Sequence, residues 1–167
     1  MPKGRKMEDY SVKKIYTGFV EQGWTLSVAE SCTGGALAAR LVRQAGASHY
    51  FLGGVIAYSN QLKITLLGVN PDDLQMHGAV SEVVVVQMAR GMQRLTGSDY
   101  ALAISGIAGP EGGTDQKPVG TMCAAIVSLR EQEIIAWTFQ LEGERQDIIN
   151  QCLDTLLQRL GQLTSRQ

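Results

Sequence analysis

The chain has 167 residues, 44% hydrophobic and 19% charged, an ordinary globular composition with room for one substantial core. A formal net charge of −1 argues against a nucleic-acid binder held by neutralising phosphates, and no apolar run approaches membrane-spanning length. Cys32, Cys123 and Cys152 are odd in number and form no CxxC pair, which reads as free thiols in a reducing, cytoplasmic setting rather than a disulfide framework.

The basic start reads as a short tail over residues 1–8 of a single domain, 1–167. Val12, Ile15, Tyr16, Phe19 and Val20 repeat at helical spacing, so a first helix is predicted over Tyr10–Gln22, stopped by Gly23. Thr25–Ala29 reads as a strand and Ala36–Val42 as a helix. Gly53–Tyr58 is a second strand. Ser59 and Asn60 are both suitable caps for a helix over Gln61–Leu67. Pro71, Asp72 and Asp73 open a short helical turn. Ser81 caps a helix reaching about Leu95. Tyr100–Ile104 is a buried-type strand, followed by a long loop from Gly106 to Pro118. Thr121–Leu129 and Ile134–Gln140 read as strands joined by a turn at Arg130–Gln132. A last helix carries Ile148, Ile149, Cys152, Leu153, Leu156, Leu157 and Leu160 on one wide apolar face, broad enough to leave room for a homo-oligomer. Strands alternating with helices imply an α/β fold, and the closing strand pair implies a mixed sheet.

Three segments look unlike packing. Ala29–Gly35, AESCTGG, lies between a strand and a helix, where α/β folds place ligands. It offers hydroxyls at Ser31 and Thr33, and glycines at Gly34 and Gly35 beside a helix start. A capped turn explains the same residues equally well. In Tyr58–Lys63, YSNQLK, the lysine falls near the start of a helix, where the dipole favours the neutral amine. A solvated surface lysine is the plainer reading of Lys63. The third segment, Ser105–Thr121, is a glycine-rich loop whose amides and hydroxyls suit a phosphate or ribose. No metal site is expected, because His49 and His77 have no partner at ligand spacing. Cys32 beside Ser31 is a rival nucleophile, although free cysteines are more often small buried hydrophobes.

Taken together, AESCTGG at 29–35, GGVIAYSNQLK at 53–63, GAVSE at 78–82 and SGIAGPEGGTDQKPVGT at 105–121 resemble the CinA C-terminal domain family over nearly the whole chain. The resemblance implies a three-layer α/β/α sandwich. It also implies an amidohydrolase that converts nicotinamide mononucleotide to nicotinate mononucleotide and ammonia, without cofactor or metal. By motif position it implies a Ser31–Lys63 catalytic pair, with Tyr58 orienting the lysine or the substrate. Amides around Thr33, Gly34 and Gly35 would hold the oxyanion. Glu30, Thr33, Gly34, Gly35, Asn60, Ser105, Gly106, Thr114 and Arg145 are the expected substrate-binding residues. The expected partner is a small nucleotide, with neither nucleic acid nor membrane.

The chain departs from the family pattern in two places. Cys123 stands where an aromatic residue is common, and Leu141-Glu142-Gly143-Glu144-Arg145 stands where F-x-G-D-R is common. The alternative these departures leave open is a paralogue with altered or lost catalysis that binds a nucleotide or a partner on the same fold.

Overall fold

A computed structural model describes residues 3–163 of the chain, and the side chains of residues 11–163. Five strands form one sheet in the order β2-β1-β3-β4-β5. They are β1 (Leu26–Glu30), β2 (Phe51–Ile56), β3 (Tyr100–Gly106), β4 (Thr121–Ser128) and β5 (Ile134–Gln140). β1 runs parallel to both β2 and β3, whereas β4 is antiparallel to β3 and to β5. The sheet is therefore mixed, as the closing strand pair implied.

Helices cover both faces. Helices α1 (Lys3–Gln22), α2 (Ala36–Leu41) and α6 (Arg145–Leu163) pack Phe19, Leu37 and Leu153 against Leu26, Leu102 and Ile104. On the other face, α3 (Asn60–Leu67), α4 (Pro71–His77) and α5 (Glu82–Thr96) bring Leu67, Leu74 and Met88 onto Ala29, Ala101 and Ala103. The small alanines on that face let the helices approach closely. The result is the α/β/α sandwich.

Element bounds shift by a residue or two at most ends, and more at the N-terminus. α1 begins at Lys3, so residues 3–8, expected as a tail, are helical, and residues 1–2 lie outside the described residues. Lys, Arg, Met and Glu are all good helix formers, which lets the helix extend beyond its apolar stripe. A 3₁₀ turn at Ala47–His49, with no apolar period to announce it, leads into β2. Of the two candidate caps, Ser59 is the one used: its hydroxyl accepts from the Leu62 amide, which leaves Asn60 inside α3.

α3 and α5 meet at a backbone contact. A Cβ at Gly91 of α5 would collide with the carbonyl oxygen of Leu67 at the end of α3. We expect Gly91→Ala to lower stability by about 3 kcal/mol, since neither backbone can yield without unpacking a core. Urea denaturation measures this, and an unchanged midpoint would mean that α3 is free to move.

Candidate active site

The parallel register decides where the three distinctive segments go. Glu30 of β1 pairs with Ile56 of β2 on one side and with Ile104 of β3 on the other. All three strands therefore end together, and AESCTGG, YSNQLK and SGIAGP leave from the same end of the sheet. β5 pairs Gln140 with Thr121 at this end too, so the start of α6 and its Arg145 arrive there as well.

Ser31 is held through its own backbone. Its amide donates to Ile104 O at 3.1 Å, and its carbonyl accepts from the Gly34 amide at 3.0 Å. On the other side the Ala57 amide donates to Glu30 O at 2.8 Å. The side chain is only 7% exposed.

Lys63 lies on the inward face of α3, four residues before Leu67, and is 1% exposed. A solvated surface lysine is thereby ruled out. Its Nζ sits 3.0 Å from Ser31 Oγ, 2.8 Å from Ala57 O and 3.3 Å from Tyr58 O. Among the described residues no carboxylate forms an ion pair with it. Burial lowers its pKa below the ordinary lysine value, opposed weakly by the neighbouring Cys32. Desolvation lowers it, where the sequence had suggested the helix dipole. The neutral amine has two hydrogens and one lone pair. Two carbonyls and one hydroxyl surround Nζ, so at least one of the three oxygens faces its lone pair whenever the amine is neutral.

Cys32 is unsuited to the nucleophile's role. Burial pushes its thiol up to about 12, with Arg145 and Lys63 pulling only partly the other way. A thiol with that pKa is almost wholly protonated near neutral pH.

The remaining expected residues divide. Arg145 reaches the rim, where its two terminal nitrogens donate to Gly109 O at 2.8 Å and to Tyr58 Oη at 3.1 Å. Tyr58 is 58% exposed, and the atom it offers Lys63 is its backbone carbonyl. Ser105 is buried, one place past the Ile104 that pairs with Glu30, and Gly106 closes β3 where any side chain would strike Met122 Sδ. Asn60 is exposed in the first turn of α3.

The other expected residues make hydrogen bonds within the chain. Thr114 closes its own exposed turn, its Oγ1 accepting from the Lys117 amide at 3.1 Å, and it makes no hydrogen bond with the Ser31 site. Glu30 and Thr33 are bound to each other at 2.6 Å, and the Glu30 carboxylate also accepts from the amides of Gly35, Leu37 and Ala38. Both side chains thus close the start of α2. The Gly34 and Gly35 amides are taken as well, by Ser31 O and Glu30. Among the described residues no backbone hydrogen bond is donated by the amides of Cys32 and Thr33.

Sequence reasoning missed the carbonyls of Ala57 and Tyr58, because backbone acceptors carry no residue signature. The i, i+4 spacing of Lys63 and Leu67 was the available hint that the lysine points inward. It also missed Lys117, whose Nζ ties the glycine-rich loop to His77 O at 2.6 Å and Val80 O at 2.7 Å.

The family model described as the CinA C-terminal domain matches residues 8–164. The chain belongs to the CinA C-terminal domain family. A CinA-like protein of Thermotoga sp. (strain RQ2) is 48% identical over 143 residues, 86% of this chain and 33% of its own length. One from Shewanella baltica (strain OS155 / ATCC BAA-1091) is 52% identical over 116 residues, 70% of this chain and 27% of its own length. The chain thus spans about a third of these CinA-like relatives. Among solved structures, a CinA superfamily protein from Klebsiella pneumoniae 700603 superposes with a TM-score of 0.90 at 35% identity, covering 96% of this chain and 99% of that one. The competence/damage inducible protein of Agrobacterium tumefaciens gives 0.90 at 34% identity, with 98% and 97% covered.

The two departures from the family pattern have local consequences. Cys123 is buried on β4, with its sulfur 3.3 Å from Thr138 Oγ1. Arg145 still reaches the rim with Glu144 before it, and Asp147 accepts from the Glu144 amide at 3.2 Å. Among the described residues, no cluster of three metal-ligating side chains occurs and no helix is long and apolar enough to cross a membrane.

Proposed function

We propose that this domain is an amidohydrolase that deamidates nicotinamide mononucleotide to nicotinate mononucleotide and ammonia. The observation that carries the proposal is the buried Lys63 amine, without a carboxylate partner, 3.0 Å from Ser31 Oγ. The choice of nicotinamide mononucleotide follows the family resemblance.

In this reading Ala57 O and Tyr58 O hold the two amine hydrogens, so the lone pair takes the proton of Ser31 as Oγ attacks the carboxamide carbon. The amides of Cys32 and Thr33 receive the oxyanion. The Lys63 ammonium then returns its proton to the departing ammonia, and the acyl group stays on Ser31. Water, activated by the same amine, attacks the ester and releases the acid. Arg145 is the rim cation for the nucleotide phosphate.

The test is ammonia and nicotinate mononucleotide release by the folded wild-type domain. Turnover supports the proposal. Thermal stabilisation by the nucleotide without ammonia release would support the binding-only alternative instead.

Arg145→Ala should raise KM for the mononucleotide about 10- to 100-fold, the range for losing a charged hydrogen bond, with a smaller effect on kcat. It should leave KM for nicotinamide riboside, which lacks the phosphate, nearly unchanged. Equal losses on both substrates would assign Arg145 to holding the loop rather than the phosphate.

A further inference from the structure

The residue beside the nucleophile has a carboxylate that no substrate can reach. Glu30 is 1% exposed, and its two oxygens accept four hydrogen bonds. Oε2 takes Thr33 Oγ1 at 2.6 Å, the Gly35 amide at 3.0 Å and the Leu37 amide at 3.1 Å, and Oε1 takes the Ala38 amide at 2.8 Å. All four donors come after Glu30 in sequence, so the chain from Ser31 to Ala38 wraps around the side chain that begins it. Gly34 and Gly35, with φ of 60° and 100°, supply the left-handed backbone this wrapping needs.

We propose that Glu30 is a positioning residue for Ser31. The inference rests on the Ser–Lys reading of the site. Ser31 lies between the carboxylate and the amides that answer it. Its Oγ therefore has its place fixed by the wrapped turn on one side and by the Ser31 N to Ile104 O bond on the other. The backbone carbonyl of Glu30 carries the same constraint to the lysine: it accepts from the Ala57 amide, and Ala57 O accepts from Lys63 Nζ. One residue thus sets the nucleophile through its side chain and registers the base through its main chain. By filling the start of α2 it also keeps those amides from drawing a substrate anion into the turn. The amides left open are those of Cys32 and Thr33, which receive the oxyanion in the proposed mechanism.

A fluorophosphonate tests this without depending on the natural substrate. Ser31 Oγ forms the bond to phosphorus, the P–F bond breaks, fluoride leaves and the serine proton passes to Lys63. Labelling is followed by intact mass and mapped by peptide digestion, across pH, for wild type and Glu30→Gln. Glutamine replaces one acceptor oxygen with an NH2 group that cannot accept from the converging donors. The expected result is a plateau labelling rate at least about tenfold below wild type, with the acid limb of the profile at the wild-type pH, because Lys63 stays buried. A merely structural loss would rehydrate Lys63 and move that limb upward together with the fall in rate. Glu30→Asp, which keeps the charge but falls short of the donors, serves if the glutamine variant does not fold, and the same expectations apply. A wild-type rate in the folded variant, or a limb that shifts with the plateau, overturns the proposal. Failure of wild-type Ser31 to label would instead count against the Ser–Lys reading itself.

Discussion

Ser31→Ala is expected to fold like wild type and to release ammonia from nicotinamide mononucleotide at least about a thousandfold more slowly. Such a loss corresponds to about 4 kcal/mol of transition-state stabilisation. The substitution removes one oxygen and one hydrogen bond, while Lys63 keeps Ala57 O and Tyr58 O. The backbone anchors of Ser31 to Ile104 and Gly34 do not involve the hydroxyl. Thermal midpoints should therefore agree within a few degrees, so that a lost rate reports chemistry. Residual activity would come from the open amides and from binding, as in other hydrolases stripped of their nucleophile. Wild-type turnover by Ser31→Ala would remove the covalent step.

Lys63→Met should cost on the order of 10³-fold in kcat/KM, within the usual range for a general base. The wild-type protein adds a second signature. Only the neutral amine can accept the Ser31 proton, so activity falls as pH drops through the Lys63 pKa. Burial places that pKa below 10.5, and the acid limb of the rate profile should lie below that value. Stability follows the same group. Folded Lys63 holds its proton less tightly than the unfolded lysine, whose pKa is about 10.4. Between the two pKa values the unfolded chain carries more protons, so stability rises with pH across that window. Below the folded pKa the cost of burying the ammonium is fully present. Denaturant titrations at stepped pH should show this upward slope in wild type and not in Lys63→Met. A shared slope would place the titration elsewhere.

The layers and most elements could be read from the sequence because periodicity reports burial directly. The apolar face of α6 and the caps at Ser59 and Ser81 correspond to contacts in the structure. The convergence of Ser31 and Lys63 could not be read from spacing, since they are 32 residues apart and meet only through the parallel register of β1 and β2. Resemblance named the pair, and the fold brings it together. Glu30, Thr33, Gly34 and Gly35 have a structural role that the motif did not announce. A hydroxyl- and glycine-rich turn at a helix start suits an anion, and here the chain supplies its own in the Glu30 carboxylate. Thr114 shows the same ambiguity, because a threonine in a glycine-rich loop closes a turn as readily as it binds a phosphate.

The most direct test of the account is the rate at which a fluorophosphonate labels wild type and Lys63→Met at one pH, with the adduct mapped. The account predicts a single adduct on Ser31 in wild type and a rate lower by orders of magnitude in Lys63→Met. Equal rates in the two proteins, or an adduct on another residue, would contradict a serine made nucleophilic by the buried lysine.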